Sequence, residues 1–159
     1  MLRFLSQGSV RLCDLRSSAT CRASAKTFAD ASVKRRRGLL PEALAAVSDV
    51  QFLGGASAGS STLLATRDFM SVKVWDARQE ATPLRTMAVH PRLGQALPRL
   101  LDSQALLDRF QLCASPDGRR LLTGSYSHRM QLFQRDGAHI ATLSAELPPP
   151  VQGQCRKRR

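Results

Sequence analysis

Acidic side chains and aromatic rings are scarce in this sequence. Aspartate and glutamate number 12 against 24 lysines and arginines, for a formal net charge of +12. A surface this basic attracts anions, whether nucleic acid, acidic lipid or acidic protein, without choosing among them. Aromatic residues make up 5%, with one tryptophan and one tyrosine, too few to interleave with the basic runs as a platform for stacked bases. The four cysteines, Cys13, Cys21, Cys113 and Cys155, form no CxxC pair. That spacing gives no readable zinc or redox motif, and reduced thiols are expected. A membrane-spanning helix needs about 18 uncharged apolar residues in a row, and no such run occurs. His90, His128 and His139 sit in different connections or strands, with no HExxH, nucleophile elbow or glycine-rich phosphate loop. Neither catalysis nor a metal or other cofactor is expected.

With 43% hydrophobic residues in 159, the chain has the composition of one globular domain. Its clearest segment is Thr66 to Asp76, TRDFMSVKVWD. Ser71, Lys73 and Trp75 alternate with Val72, Val74 and Asp76, the period of a half-buried strand. Lys73 is expected to be the solvent-facing or snorkelling member, with phosphate contact as the alternative. The strand ends on a Trp-Asp dipeptide, as in propeller blades.

Other segments echo this one. Val72 to Trp75 aligns with Met130 to Phe133, and Leu63 to Thr66 with Leu121 to Gly124, both at an offset of 58 residues. An earlier copy, Ser9 to Asp14, matches Ser71 to Asp76 without a gap. WD40 blades recur at about 40–45 residues, so each copy carries an insertion of roughly a dozen residues or more. Around the repeats, strands are expected at Val47 to Leu53, Leu63 to Thr66, Ser71 to Asp76 and Leu84 to Val89. A second set is expected at Phe110 to Ala114, Leu121 to Gly124, His128 to Gln134 and Ile140 to Leu143. Ser115-Pro116-Asp117-Gly118 and Asp136-Gly137 supply the turns. Helical insertions fit Gly38 to Ala46 and the leucine stripe within His90 to Leu107. Residues 1–37 then form a partial blade and basic linker, 38–90 a complete blade, 91–145 a helical insertion and complete blade, and 146–159 an irregular proline-rich basic tail. The fold class is all-β, a partial WD40 β-propeller of antiparallel four-stranded blades with short helical insertions. The Arg/Ser/Ala-rich start also fits an organelle transit peptide, although a cleaved leader has no reason to carry a copy of a core strand.

These residues resemble the WD-repeat B-type regulatory subunit of protein phosphatase 2A. The resemblance runs through Val10 to Ala19, Val47 to Val50, Thr66 to Asp76, Val89-His90, Leu107 to Phe110 and Thr123 to Tyr126, in order. It covers about two and a half of the family's seven blades. It implies a non-catalytic subunit that docks on a HEAT-repeat scaffold beside a catalytic subunit and recruits phosphoprotein substrates. Neither membrane nor nucleic acid is then expected as a partner, and the location is the cytoplasm, with the nucleus as a second site. The same resemblance makes Thr20, His90, Leu101, Asp102, Leu107 and Arg109 the partner-facing set, and Asp68, Trp75 and Asp76 the structural set. Leu101 and Leu107 stand where the family has tyrosine and phenylalanine, Thr20 replaces an apolar residue, and Asp102 keeps an acid. The hairpin that grips the scaffold and the last blade have no counterpart here, and the family's acidic groove contrasts with the basic composition. A basic nucleic-acid-binding or organelle-imported protein, and a degenerate inactive fragment, remain the alternatives.

Overall fold

The computed structural model describes residues 2–5, 8–14, 16, 26–31, 44–54, 62–93, 97, 99 and 109–144. Their strands form three antiparallel sheets. The first, in spatial order, is β1 (Leu2–Leu5), β2 (Ser9–Leu12) and β3 (Lys26–Ala29). The central sheet is β4 (Asp49–Phe52), β5 (Leu63–Arg67), β6 (Ser71–Asp76) and β7 (Arg85–Ala88). The third runs β8 (Leu112–Ala114), β9 (Arg120–Ser125), β10 (Arg129–Gln134) and β11 (His139–Ser144). Sequential strands are spatial neighbours, joined as up-and-down meanders, which is the construction of a propeller blade.

The three sheets pack face to face. One apolar cluster joins Val10 and Phe28 of the first sheet to Leu64 and Trp75 of the central one, with Phe28 and Trp75 edge to face at 6.0 Å. A second joins Ala65, Val72, Val74 and Met87 of the central sheet to Leu112, Leu121 and Phe133 of the third. Because side chains alternate along a strand, the two faces of β6 serve different neighbours. Trp75 meets the first sheet while Val72 and Val74 meet the third. Burial from Ser71 through Trp75 follows from that double cover.

Lys73 departs from expectation. It is 8% exposed, and its Nζ lies 3.1 Å from Asp30 Oδ2 and 3.2 Å from Asp68 Oδ2. It shares a face with Trp75, so a solvent-facing position would exist only without the first sheet. The alignment of the repeats also needs correction. Leu64 pairs with Trp75, and Leu121 with Phe133. Leu121 follows Leu64 by 57 residues, whereas Phe133 follows Trp75 by 58, so the β9–β10 hairpin holds one residue more between these equivalent pairs than the β5–β6 hairpin does. A slip of one residue exchanges the faces of a strand. Counted along β9, the counterpart of Asp68 is therefore Ser125, not Tyr126.

Most of the expected strands lie within a residue or two of the observed ones; β1 and β3 were not individually anticipated. The helical insertions expected over Gly38 to Ala46 and within His90 to Leu107 fall largely outside the described residues, although Leu44 and Ala45 of the first and Leu97 and Arg99 of the second have helical backbone.

Candidate interaction face

The β5–β6 and β9–β10 turns and the two ends of the β7–β8 connection meet at one end of the sheets. Here the few aromatic residues concentrate. Phe69, Phe110 and Tyr126 surround His90 with ring centroids 5.3–5.8 Å from it, and Phe110 meets Tyr126 edge to face at 5.1 Å.

Beneath them Arg67 is fully buried. It ends β5, and its side chain crosses to the third sheet. Nε donates to Thr123 Oγ1 at 3.1 Å, Nη1 donates to the carbonyls of Asp68 and Phe69, and Nη2 reaches His90 Nε2 at 3.2 Å. The guanidinium also lies 5.5 Å from the centre of the Phe110 ring, within cation–π range. Burial lowers its pKa to about 10, and it remains cationic at neutral pH. A guanidinium only donates, so His90 Nε2 must accept, and a neutral imidazole then carries its proton on Nδ1. That nitrogen faces Ser125 Oγ at 3.3 Å. Burial, with the adjacent Arg67 charge, pushes the His90 pKa down to about 4.

Asp68 sits beside this cluster and organises the β5–β6 turn. Its Oδ1 accepts the Met70 and Ser71 amides at 2.9 and 2.7 Å, and Oδ2 accepts Ser71 Oγ at 2.7 Å. Lys73 then ties Asp68 to Asp30 at the end of β3. Two carboxylates and two cations thus balance formally across the junction of the first two sheets and the base of the turn. Trp75 Nε1 donates to Thr66 Oγ1 at 3.0 Å, and Asp76 Oδ1 accepts the Arg78 amide at 2.9 Å. These bonds give Asp68, Trp75 and Asp76 framework roles. Between the inner strands, Asp49 Oδ2 accepts the Leu112 amide at 2.7 Å.

Of the partner-facing set, His90 is 5% exposed and engaged with Arg67 and Ser125. Arg109 is exposed at the far end of the same connection. Thr20, Leu101, Asp102 and Leu107 lie outside the described residues. Arg67, Thr123 and Ser125 were not singled out from sequence; a charged residue ending a strand beside the Asp68 turn was the available signal. Among the described residues, no group of three or more His, Cys, Asp or Glu is placed to hold a metal ion.

Comparison with known proteins supplies the context. No protein-family model matches the chain. It is 35% identical over 153 residues to the serine/threonine-protein phosphatase 2A regulatory subunit sur-6 of Caenorhabditis elegans, covering 96% of this chain and 30% of that one. It is 36% identical over 140 residues to the beta isoform of the 55 kDa B-type regulatory subunit of serine/threonine-protein phosphatase 2A from Carassius auratus, covering 88% and 30%. The chain therefore spans about 30% of the length of these relatives. Among solved structures it is similar to Chaetomium thermophilum Raptor, with a TM-score of 0.57 and 16% identity, over 92% of this chain and 11% of that one. That likeness concerns the fold, which is a partial WD40 β-propeller.

Proposed function

Because this chain is a partial relative of the B-type regulatory subunits of protein phosphatase 2A, we propose that it acts as a non-catalytic targeting element of that phosphatase. The carrying observation is 35% identity sustained over 96% of the chain, together with the sheets that the repeat predicted. In this reading the blades contact a HEAT-repeat scaffold, which also holds the catalytic subunit, and present phosphoprotein substrates to it in the cytoplasm or nucleus. Thr20, His90, Leu101, Asp102, Leu107 and Arg109 belong to the partner-facing connections, with His90 acting from beneath the surface by fixing the turn around Tyr126. The test is co-migration of the purified chain with purified scaffold protein in size-exclusion chromatography, followed by addition of the catalytic subunit. A ternary complex is expected. A folded chain that elutes apart from the scaffold at micromolar concentration would remove the role.

A further inference from the structure

The third sheet repeats the central sheet with two of its charged positions made neutral. By the observed register, Asp68 and Lys73 of the central sheet correspond to Ser125 and Gln131 of the third. The ion pair that fastens one turn is thus replaced by two neutral side chains at the other. The β9–β10 hairpin also carries one residue more between equivalent pairs, and its turn holds Ser127 and His128 at φ of +60° and +55°. Left-handed backbone is costly for non-glycine residues, and such strain gathers at functional sites.

This turn borders an open groove of about 700 Å³ between β7 and the β10–β11 pair. Volumes of that order are typical of ligand sites. Its lining includes Arg92, Arg129, Ser125, Tyr126, Gln131 and His139, and none of its lining residues is acidic. Arg92 and Arg129 are exposed and form no ion pair among the described residues. Gln131 Oε1 is held by Thr142 Oγ1 and His139 Nε2, both at 2.8 Å, which fixes the amide on the groove wall. Underneath, His90 and Arg67 hold Ser125 and the aromatic cluster in place. Arginine recognises phosphate through parallel N–H donors, and hydroxyl and amide groups complete such a site without repelling it.

We propose that this groove binds a phosphorylated side chain of a peptide segment, with Arg92 and Arg129 as the anion contacts. The inference rests on the substrate-recruiting half of the reading above and requires no scaffold, so the two can fail separately.

The test uses the full chain and a short fluorescein-labelled alanine-rich peptide with one central phosphoserine, followed by fluorescence anisotropy. Arg92→Gln and Arg129→Gln should each weaken binding about tenfold, and the pair about a hundredfold, as loss of charge-assisted hydrogen bonds implies. Arg119→Gln with Arg120→Gln, at the end of the β8–β9 turn and the first residue of β9, should leave binding within about twofold and serves as the control for general charge. Circular dichroism keeps folding defects apart, and Arg129→Lys provides a milder second variant that should bind at an intermediate level. Equal affinity for the unphosphorylated peptide would overturn the proposal. So would equal losses in the control variant, or a single-stranded oligonucleotide that displaces the phosphopeptide at lower concentration. If binding fails while scaffold co-migration persists, the groove assignment alone is lost.

Discussion

Replacing Lys73 by methionine separates a buried ionic joint from a surface lysine. The ammonium lies between Asp30 and Asp68, whose side chains are 15% and 8% exposed, so its removal leaves two carboxylates in a site that excludes most water. Asp68 retains the Met70 and Ser71 donors, which limits the damage on its side. Breaking one member of a buried pair costs about 3–5 kcal/mol, and partial exposure of Asp30 places this case near the lower bound, about 3 kcal/mol. For a chain of this length each kcal/mol moves the midpoint by about 2–4 °C, so Lys73→Met should lower Tm by about 6–12 °C. A solvent-facing strand lysine would change stability by no more than about 0.5 kcal/mol. Thermal unfolding followed by tryptophan fluorescence is suitable, because Trp75 lies on the same face of β6. Adding Asp30→Asn to Lys73→Met should recover part of the loss, giving a coupling energy above about 1 kcal/mol. The deficit should persist in added salt, since buried charges are weakly screened. A Tm shift below about 2 °C, or strict additivity of the two substitutions, would refute the ionic joint.

The depressed His90 pKa makes stability depend on pH. The unfolded imidazole takes a proton near 6.5 and the folded one only near 4, so the contribution is complete above pH 6.5 and declines as pH falls toward 4. About 2 kcal/mol should be lost across that window; urea unfolding at pH 7 and pH 4.5 would register it, and His90→Gln should flatten that part of the profile. Trp75→Phe removes the indole donor to Thr66 Oγ1 and should cost about 1–2 kcal/mol, much less when Thr66 is already valine. Met87 and Leu143 are counterparts in the central and third sheets, opposite Val72 and Met130 respectively. Met87→Lys should cost at least about 3 kcal/mol, whereas Leu143→Lys should stay within about 0.5 kcal/mol by denaturant titration.

Period-two alternation made β6 legible, and the Ser-Pro-Asp-Gly turn placed β8 and β9 on either side of it. The register of β9 was not legible, for a local reason. Leu121 and Leu122 are consecutive leucines, so hydrophobicity alone cannot say which one faces the neighbouring sheet. The cross-strand partner decides it, because Leu121 lies opposite Phe133 as Leu64 lies opposite Trp75. The burial of Lys73 is not legible because lysine usually carries its charge to water, and its partner Asp30 stands at the end of a strand of a different sheet. The Arg67 network was hidden in the same way. It unites a strand end, a connection and a strand of the next sheet, with contacts to His90 and Thr123 separated by 23 and 56 residues. Its recoverable trace was the polar Arg-Asp pair before β6, which resembles an ordinary surface turn until burial is known.

Equivalent positions in the repeats show where sequence reasoning ends. Val72 and Met87 face each other across β6 and β7 and are 0% and 4% exposed. Their counterparts Met130 and Leu143 face each other across β10 and β11 and are 44% and 48% exposed. All four are apolar, and all four satisfy the same strand pattern. What differs is the third sheet, which covers the first pair, while no described residue covers the second. Burial in a stack of blades belongs to the junction between sheets, since each repeat is stabilised by its neighbours. The same logic explains why the β9–β10 turn can dispense with the Asp68–Lys73 joint: in the central sheet that joint meets Asp30 of the adjoining sheet, whereas the corresponding face of the third sheet meets Arg67 through Thr123. A carboxylate on that turn is not required to hold a lysine there, and its replacement by Ser125 leaves the arginine-lined groove free of acidic groups.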